Sequence, residues 1–570
     1  MTIDSNSAVC RTTAELLLER LVDHGIKHFF ANPGTDFPSI VEAFATAAHT
    51  DTVAPRPVLV THENVAVSMA HGAALVSGKP QAVMVHTNVG TANTLNALTN
   101  AARERIPLLL MAGRSPITQQ GMAGSRSFLI HWAQEMYDQA GMVRELVKWD
   151  YELRYAQHVE EVVDRAIEIA TAPPQGPVYL SLPREALAAQ PGPERAAKPR
   201  IGETPASHPS KGTIAQLAEW VSTAKRPLIV TSNSGRCPRA FAALDQLADR
   251  FGIGVVVPGQ RYLALRTDPL HLGYDTASVL AEVDLVLVIE SDVPWLPAGN
   301  SPSSDCRIVH IGEDPSFTAL PMRRFPSDLN ITASAGAVLE QLVAELSEQG
   351  ADADPSTVVR REWWIEQAAA RQSALAEERT LARQKSVITP TLVAETLSDL
   401  IEDDTLVFNE YSLPAQHLSR TRPASYFYVP ACGGLGWGLG AALGAKLATP
   451  DKLVIATLGD GAYVFSNPTS CHWVSQAHGL PILILVLNNA SYGAVAWATA
   501  EMYDQGHAAS DSWRMLSDLE PSPAYELLPQ ASEGYGERVN DPAALAGAIA
   551  RGIRVVCEEK RQALINIICC

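Results

Sequence analysis

The chain has 570 residues, room for about three or four domains of ~150 residues each. Apolar residues make up 46% and charged residues 19%, a globular balance with ample core. The net charge of −18 argues against non-specific binding to nucleic acid or to anionic membranes.

The opening MTIDSNSAVC lacks the basic start and apolar run of a secretory signal. No stretch approaches the ~20 apolar residues of a membrane span. The eight cysteines form no CxxC, so neither a zinc site nor a disulfide framework is expected. A reducing cytoplasm is the expected compartment, and the adjacent Cys569 and Cys570 read as a frayed tail.

In chain order, a first α/β block covers 1–190. An amphipathic helix, TTAELLLERLVDHG, ends at Gly25, and the strand KHFFAN follows. PVLVTHE, AVMVHT, IPLLLMAG and GPVYLSLP are further strands with helical patterns between them. The Pro- and Gly-rich stretch from Gln190 to Gly212 reads as a linker. The second block, 191–350, carries RPLIVTS, IGVVVP, DLVLVIES and RIVHIG. A second linker, QGADADPST, precedes a third block over 356–570 with DTLVFNE, KLVIATLGDG, PILILVLNN and ALINII. Alternating strands and helices predict α/β architecture throughout: three doubly wound parallel-sheet domains.

Two apolar runs of the third block end in polar residues. KLVIATLGDG ends in Gly459, Asp460 and Gly461; PILILVLNN ends in Asn488 and Asn489, 26 residues further on. Open α/β sheets bind ligands at such strand ends. An Asp and an Asn there are hard oxygen ligands, suited to Mg²⁺ carrying a diphosphate. GDG alone would be an ordinary strand-end turn. The pair at this spacing resembles the signature of thiamine diphosphate (ThDP) enzymes. The resemblance implies that Asp460, Asn489 and the Ser491 carbonyl hold the metal, with Gly459, Gly461, Tyr492 and Gly493 around the cofactor. The metal also offsets the diphosphate charge in this acidic chain.

The family also needs a Glu against the aminopyrimidine ring of the cofactor, to help remove the thiazolium proton. Glu63 in VLVTHEN occupies the matching position; taken alone, it would read as a helix N-terminal Glu stabilised by the dipole. In the run ACGGLGWG, the resemblance makes Leu435 the wedge between the cofactor rings and the Gly433 carbonyl the acceptor for the pyrimidine amino group. It also implies that one cofactor is shared between subunits, hence a homodimer or a dimer of dimers.

Within the family, the GGLG run, NNASYGAVAW and two N-terminal motifs are similar to the benzoylformate decarboxylase branch. His86 in AVMVHTNVG falls where that branch has an active-site His, and could shuttle protons near neutral pH. Thr35 in ANPGT replaces a Ser that contacts the substrate carboxylate. Three departures stand out. Asp268 occupies the place of a second active-site His, with His271 out of register. Ala498 replaces a pocket Phe, beside Ala494 and Val495. The segment after Asp460 is two residues longer. Gln134-Glu135 instead resembles acetolactate synthases, although no convincing nucleotide-binding glycine motif marks an FAD site, so FAD is not expected.

The leading expectation is ThDP- and Mg²⁺-dependent decarboxylation of a 2-oxo acid, with carboligation to an aldehyde as a further outcome. The alternatives are an acetolactate synthase-like carboligase and a ThDP-fold binding protein without turnover.

Overall fold

The computed structural model describes residues 11–50, 52–192, 197–198, 206–259, 262, 270–510 and 515–569. Its strands form three sheets, every pairing of which is parallel. The first contains β1 (His28–Asn32), β2 (Arg56–Leu59), β3 (Gln81–Val85), β4 (Leu108–Arg114), β5 (Asp150–Glu152) and β6 (Val178–Pro183), in the order β2-β1-β3-β4-β6-β5. The second contains β7 (Pro227–Thr231), β8 (Gly254–Val256), β9 (Leu285–Ile289), β10 (Arg307–Gly312) and β11 (Leu329–Thr332), in the order β11-β10-β9-β7-β8. The third contains β12 (Leu406–Glu410), β13 (Tyr426–Tyr428), β14 (Val454–Gly459), β15 (Leu483–Asn488), β16 (Tyr535–Val539) and β17 (Ala563–Ile568), in the order β13-β12-β14-β15-β17-β16.

The continuous apolar runs of the sequence became the inner strands. β3, β7, β9, β12 and β15 are buried at every position, which requires cover on both faces. The strand order reverses between β1 and β3 in the first sheet and between β12 and β14 in the third. These crevices collect the chain's functional residues.

The first and third domains meet through two helices that are buried nearly all round, Glu63–Ser77 and Trp437–Ala448. Their backbones approach so closely that a Cβ on Gly72 would lie 1.9 Å from the Ala441 carbonyl oxygen, and one on Gly444 1.8 Å from that of Met69. Small residues at this crossing, rather than a long apolar stripe, set the distance between the two domains.

In the first linker, 193–196 and 199–205 lie outside the described residues. The third block opens with a 30-residue helix, Pro355–Gln384, whose first half buries Trp364 and Ala368 in the core of the central domain. The far end turns to the third domain, where Glu378 meets His417. Cys569 is no frayed tail: its N–H donates to the Asn488 carbonyl at 2.9 Å. No described helix is long and apolar enough to cross a membrane.

Candidate active site

The crevice of the first sheet is lined by the turn after β1 and the residue after β3. Asp36 is 2% exposed, and its Oδ1 lies 2.5 Å from His86 Nδ1. The Thr87 N–H donates to the other carboxylate oxygen at 3.3 Å. Thr87 has φ 39°, a strained value for a β-branched residue, immediately beside His86. Gly34 lets the ANPGT turn lie on the imidazole: a Cβ there would be 2.2 Å from His86 Nδ1. The Asp36 hydrogen bond holds the His86 pKa above its usual value, against the opposing effect of burial and with help from the charges of Asp36 and Glu63.

His86 Nε2, on the side of the ring away from Asp36, lies 3.1 Å from Gln134 Nε2. Gln134 Oε1 and Thr35 Oγ1 are both buried without a protein hydrogen-bond partner. Buried polar atoms of this kind call for a partner from solvent or ligand. The residues around Gln134 have structural duties. His131 accepts the backbone N–H groups of Ser127 and Phe128. Trp132 lies under Arg126, and Glu135 pairs with Arg114 and Arg126.

Glu63 is the first residue of its helix, as the dipole argument predicts, and is 8% exposed. Asn93 Nδ2 donates to Glu63 Oε2 at 3.1 Å. Asn93 belongs to helix Thr87–Arg103, which starts directly after His86. Three residues on, Asn96 Nδ2 donates to the Leu435 carbonyl at 2.9 Å. Asn100 Nδ2 donates to the Gly434 carbonyl at 2.7 Å, and the Gly434 N–H donates back to Asn100 Oδ1 at 3.2 Å. A single helix therefore ties Glu63 to the Leu435 loop.

Glu410, at the end of β12, supports that loop from the opposite side. It has no exposed surface and accepts the N–H groups of Gly436 at 2.7 Å and Gly438 at 2.6 Å. Burial pushes its carboxyl up to about 7, while the N–H groups of Gly438 and Gly436 pull the other way. Gly436 has φ 86°, and a Cβ there would lie 2.3 Å from the Phe465 carbonyl oxygen.

In the third sheet, Asp460 opens the helix after β14 and is 2% exposed. Its Oδ2 is buried without a protein partner. Burial raises its pKa, opposed by backbone N–H groups that include those of Gly461, Ser491 and Ala490. The carboxylate thus lies beside the Asn489–Ser491 turn. In that turn Asn489 Oδ1 accepts the Ser491 N–H at 3.1 Å, and Ala490 has φ 51°. A Cβ at Gly459 would meet nothing within 4 Å, whereas one at Gly461 would lie 2.7 Å from the Tyr492 ring. An orphaned carboxylate oxygen beside a carboxamide and a free cradle fits a hard cation with a diphosphate. Among the described residues, no cluster of three His, Cys, Asp or Glu side chains offers a competing metal site.

Ala494, Val495 and Ala498 lie on helix Gly493–Met502, which has no buried residue, and Val495 is 48% exposed. The helix packs against the short helix His507–Ser510 that follows it. Asp268 lies outside the described residues. His271 is buried in the central domain, 3.7 Å from Asp245.

Reading the sequence missed five contributors. Asp36 stands next to Thr35 in NPGTD. Glu410 ends an apolar run much as Asp460 follows one. The asparagines Asn93, Asn96 and Asn100 recur at i, i+3 and i+7, one face of a helix. That spacing is visible in the sequence, but no motif there marks it.

Three family descriptions match the chain: Thiamine pyrophosphate enzyme, N-terminal TPP binding domain, over 11–142; central domain, over 214–342; and C-terminal TPP binding domain, over 410–567. A benzoylformate decarboxylase from Pseudomonas aeruginosa is 29% identical over 511 residues, 85% of this chain and 88% of its own. The large subunit of acetolactate synthase isozyme 3 from Escherichia coli is 25% identical over 566 residues, 95% of this chain and 92% of its own. Two solved structures share the fold. A thiamine diphosphate-dependent 4-hydroxybenzoylformate decarboxylase from Rhodococcus jostii has TM-score 0.78 at 24% identity, covering 98% of this chain and 99% of its own. A benzoylformate decarboxylase from Polynucleobacter necessarius has TM-score 0.80 at 20% identity, covering 98% of each.

Proposed function

Because this chain belongs to the thiamine pyrophosphate enzyme family, with all three of its domains, we propose that it decarboxylates a 2-oxo acid of the benzoylformate type, using ThDP and Mg²⁺. The observation that carries this reading is the Asp36–His86 pair, set at a sheet switch point with the orphaned Thr35 and Gln134 atoms. Bound ThDP would supply the nucleophilic carbon and the electron sink that let a 2-oxo acid lose CO₂. Asp460, Asn489 and the Ser491 carbonyl would hold the metal, with Gly459, Gly461, Tyr492 and Gly493 around the diphosphate.

The protein's part is proton handling and positioning. Glu63, buried and anchored by Asn93, exchanges a proton with the pyrimidine ring nitrogen. Leu435 and the Gly433 carbonyl set the cofactor's bend and receive its amino group. His86 presents Nε2 to the reacting carbon while Asp36 fixes its tautomer through Nδ1. Thr35 Oγ1 donates to the substrate carboxylate. The reading includes self-association as a homodimer or dimer of dimers, a cytoplasmic location and no role for FAD.

One observation favours a second reading, an acetolactate synthase-like carboligase: Gln134 of the QE pair sits on His86. The test is a panel of aryl and branched 2-oxo acids, and pyruvate, with ThDP and Mg²⁺. Free aldehyde with CO₂ supports the first reading, and 2-hydroxy ketones or 2-hydroxy-2-oxo acids the second. Absence of CO₂ from every acid overturns both and leaves a binding protein.

A further inference from the structure

We propose that Arg184 and His131 form the far end of the substrate pocket and select a 2-oxo acid that carries a second carboxylate, away from its reacting carbonyl. This substrate class rests on the decarboxylation reading above.

The first sheet brings four strand ends into a row. Thr35 follows β1, His86 follows β3, Ser115 follows β4 and Arg184 follows β6, in the spatial order of the strands. From β3 to β6 is two strand spacings, about 10 Å. Thr35 Oγ1 and Ser115 Oγ in this row, and Gln134 Oε1 beside His86, are buried without a protein hydrogen-bond partner. All of these residues lie in the first domain of one chain, so their arrangement does not depend on which subunit supplies the metal site.

Gln134 and His131 stand three residues apart at the short helix Ile130–Ala133 and therefore share a face. His131 is 2% exposed, and its Nδ1 accepts the N–H groups of Ser127 at 3.1 Å and Phe128 at 3.4 Å. A bare Nδ1 puts the proton of a neutral imidazole on Nε2. Burial, then the charges of Arg184 and Arg126, hold the His131 pKa below its ordinary value, which agrees with a neutral ring. Nε2 lies 3.3 Å from Arg184 Nη1. Two N–H donors thus face each other, and neither satisfies the other. A carboxylate oxygen reached by both would turn this contact into two charge-assisted hydrogen bonds.

The charges on this rim point the same way. Arg114 pairs with Glu135 and Glu152, and Arg126 pairs with Glu135. Glu185 is turned to Thr118, whose N–H and hydroxyl donate to its Oε1 at 2.8 and 2.7 Å. Arg184 is half-buried and has no ion pair among the described residues. Its planar fork suits a carboxylate taken up in bidentate fashion. A neutral group at this end of the substrate would leave both donors unpaired, and that difference is the basis of selection.

The test uses the full chain with ThDP and Mg²⁺, in wild-type form and as Arg184→Met and Arg184→Lys. Two matched pairs of acids are compared: 2-oxoglutarate with 2-oxopentanoate, and 4-carboxybenzoylformate with benzoylformate. In the wild type, kcat/KM should favour the diacid by about tenfold or more in at least one pair. Arg184→Met should bring that ratio to near one, mainly through KM. Arg184→Lys should give an intermediate ratio, since it keeps the charge without the fork, and it carries the test should Arg184→Met fail to fold. A wild-type ratio near one in both pairs, or an unchanged ratio in the variants, overturns the selection. If no acid releases CO₂, calorimetric titration of the two diacids into wild type and Arg184→Met decides. Binding weakened about tenfold or more in the variant upholds the pair while the decarboxylation reading falls; equal or absent binding overturns the pair as well.

Discussion

Replacing Asp36 with Asn should lower the pKa of His86 and shift its proton chemistry. Asp36 is almost fully buried and meets His86 Nδ1 at 2.5 Å; its hydrogen bond is the largest cause of the raised His86 pKa. Hydrogen bonds to a charged partner contribute about 1.5–3 kcal/mol, which at 1.36 kcal/mol per unit corresponds to about one to two pKa units. With the carboxylate gone, burial acts unopposed by Asp36 and carries the imidazole below its ordinary value of about 6.5. The stability consequence has a definite sign. A His whose folded pKa is raised contributes stability fully present below its unfolded pKa and lost as pH rises through the folded one. Asp36→Asn should remove that loss, so its urea midpoint should vary less across this window than that of the wild type. NMR titration of the His86 ring, assigned by difference from a His86→Asn spectrum, reads the pKa directly in the cofactor-free protein. The pH profile of kcat/KM reads it in turnover. An unchanged His86 midpoint in Asp36→Asn would refute the reasoning, because no other carboxylate makes a hydrogen bond to the ring among the described residues.

Glu63→Gln should abolish CO₂ release while leaving ThDP binding measurable by fluorescence titration; retained turnover would remove Glu63 from proton transfer. Asp460→Ala should weaken Mg²⁺-dependent ThDP binding by about tenfold or more, as loss of a charged ligand does, and chelation with EDTA should mimic it in the wild type. Gly72→Ala places a Cβ 1.9 Å from a backbone oxygen at the interdomain helix crossing. It should cost about 3 kcal/mol, seen as a lowered melting temperature, since backbone cannot move aside as a side chain can. Mixing Glu63→Gln with Asp460→Ala chains under conditions of subunit exchange tests where the site lies. Sharing across a twofold, as the family resemblance implies, predicts recovery of about a quarter of the sites, whereas no recovery would place each site within one chain.

The three-domain α/β organisation was legible because inner parallel strands must be apolar on both faces. KHFFAN, AVMVHT, DLVLVIES, KLVIATLGDG and PILILVLNN all became such strands. The strands that went unread, β5, β11, β13 and β16, are all sheet edges. β5 and β16 are short, half-exposed and charged, so they carry no apolar run to detect. The candidate metal and cofactor residues were marked for a related reason: motif spacing is a local property of chain and strand end. Glu63, His86, Asp460 and Asn489 all stand at the mouths of crevices, where their local patterns put them.

Only the tertiary structure decided which groups face one another. Asp36 and His86 are 50 residues apart in the chain, and no local pattern pairs them. The Asn93–Asn96–Asn100 face reads as polar surface until the Leu435 loop of a distant domain is placed against it. The exposure of Ala494, Val495 and Ala498 was likewise undecidable from composition, because a helix of small apolar residues suits a pocket wall and an open face equally well. Sequence periodicity specifies which face of an element is apolar or polar. What that face meets depends on the packing of whole domains, which here turns on the close approach of two glycine-bearing helices.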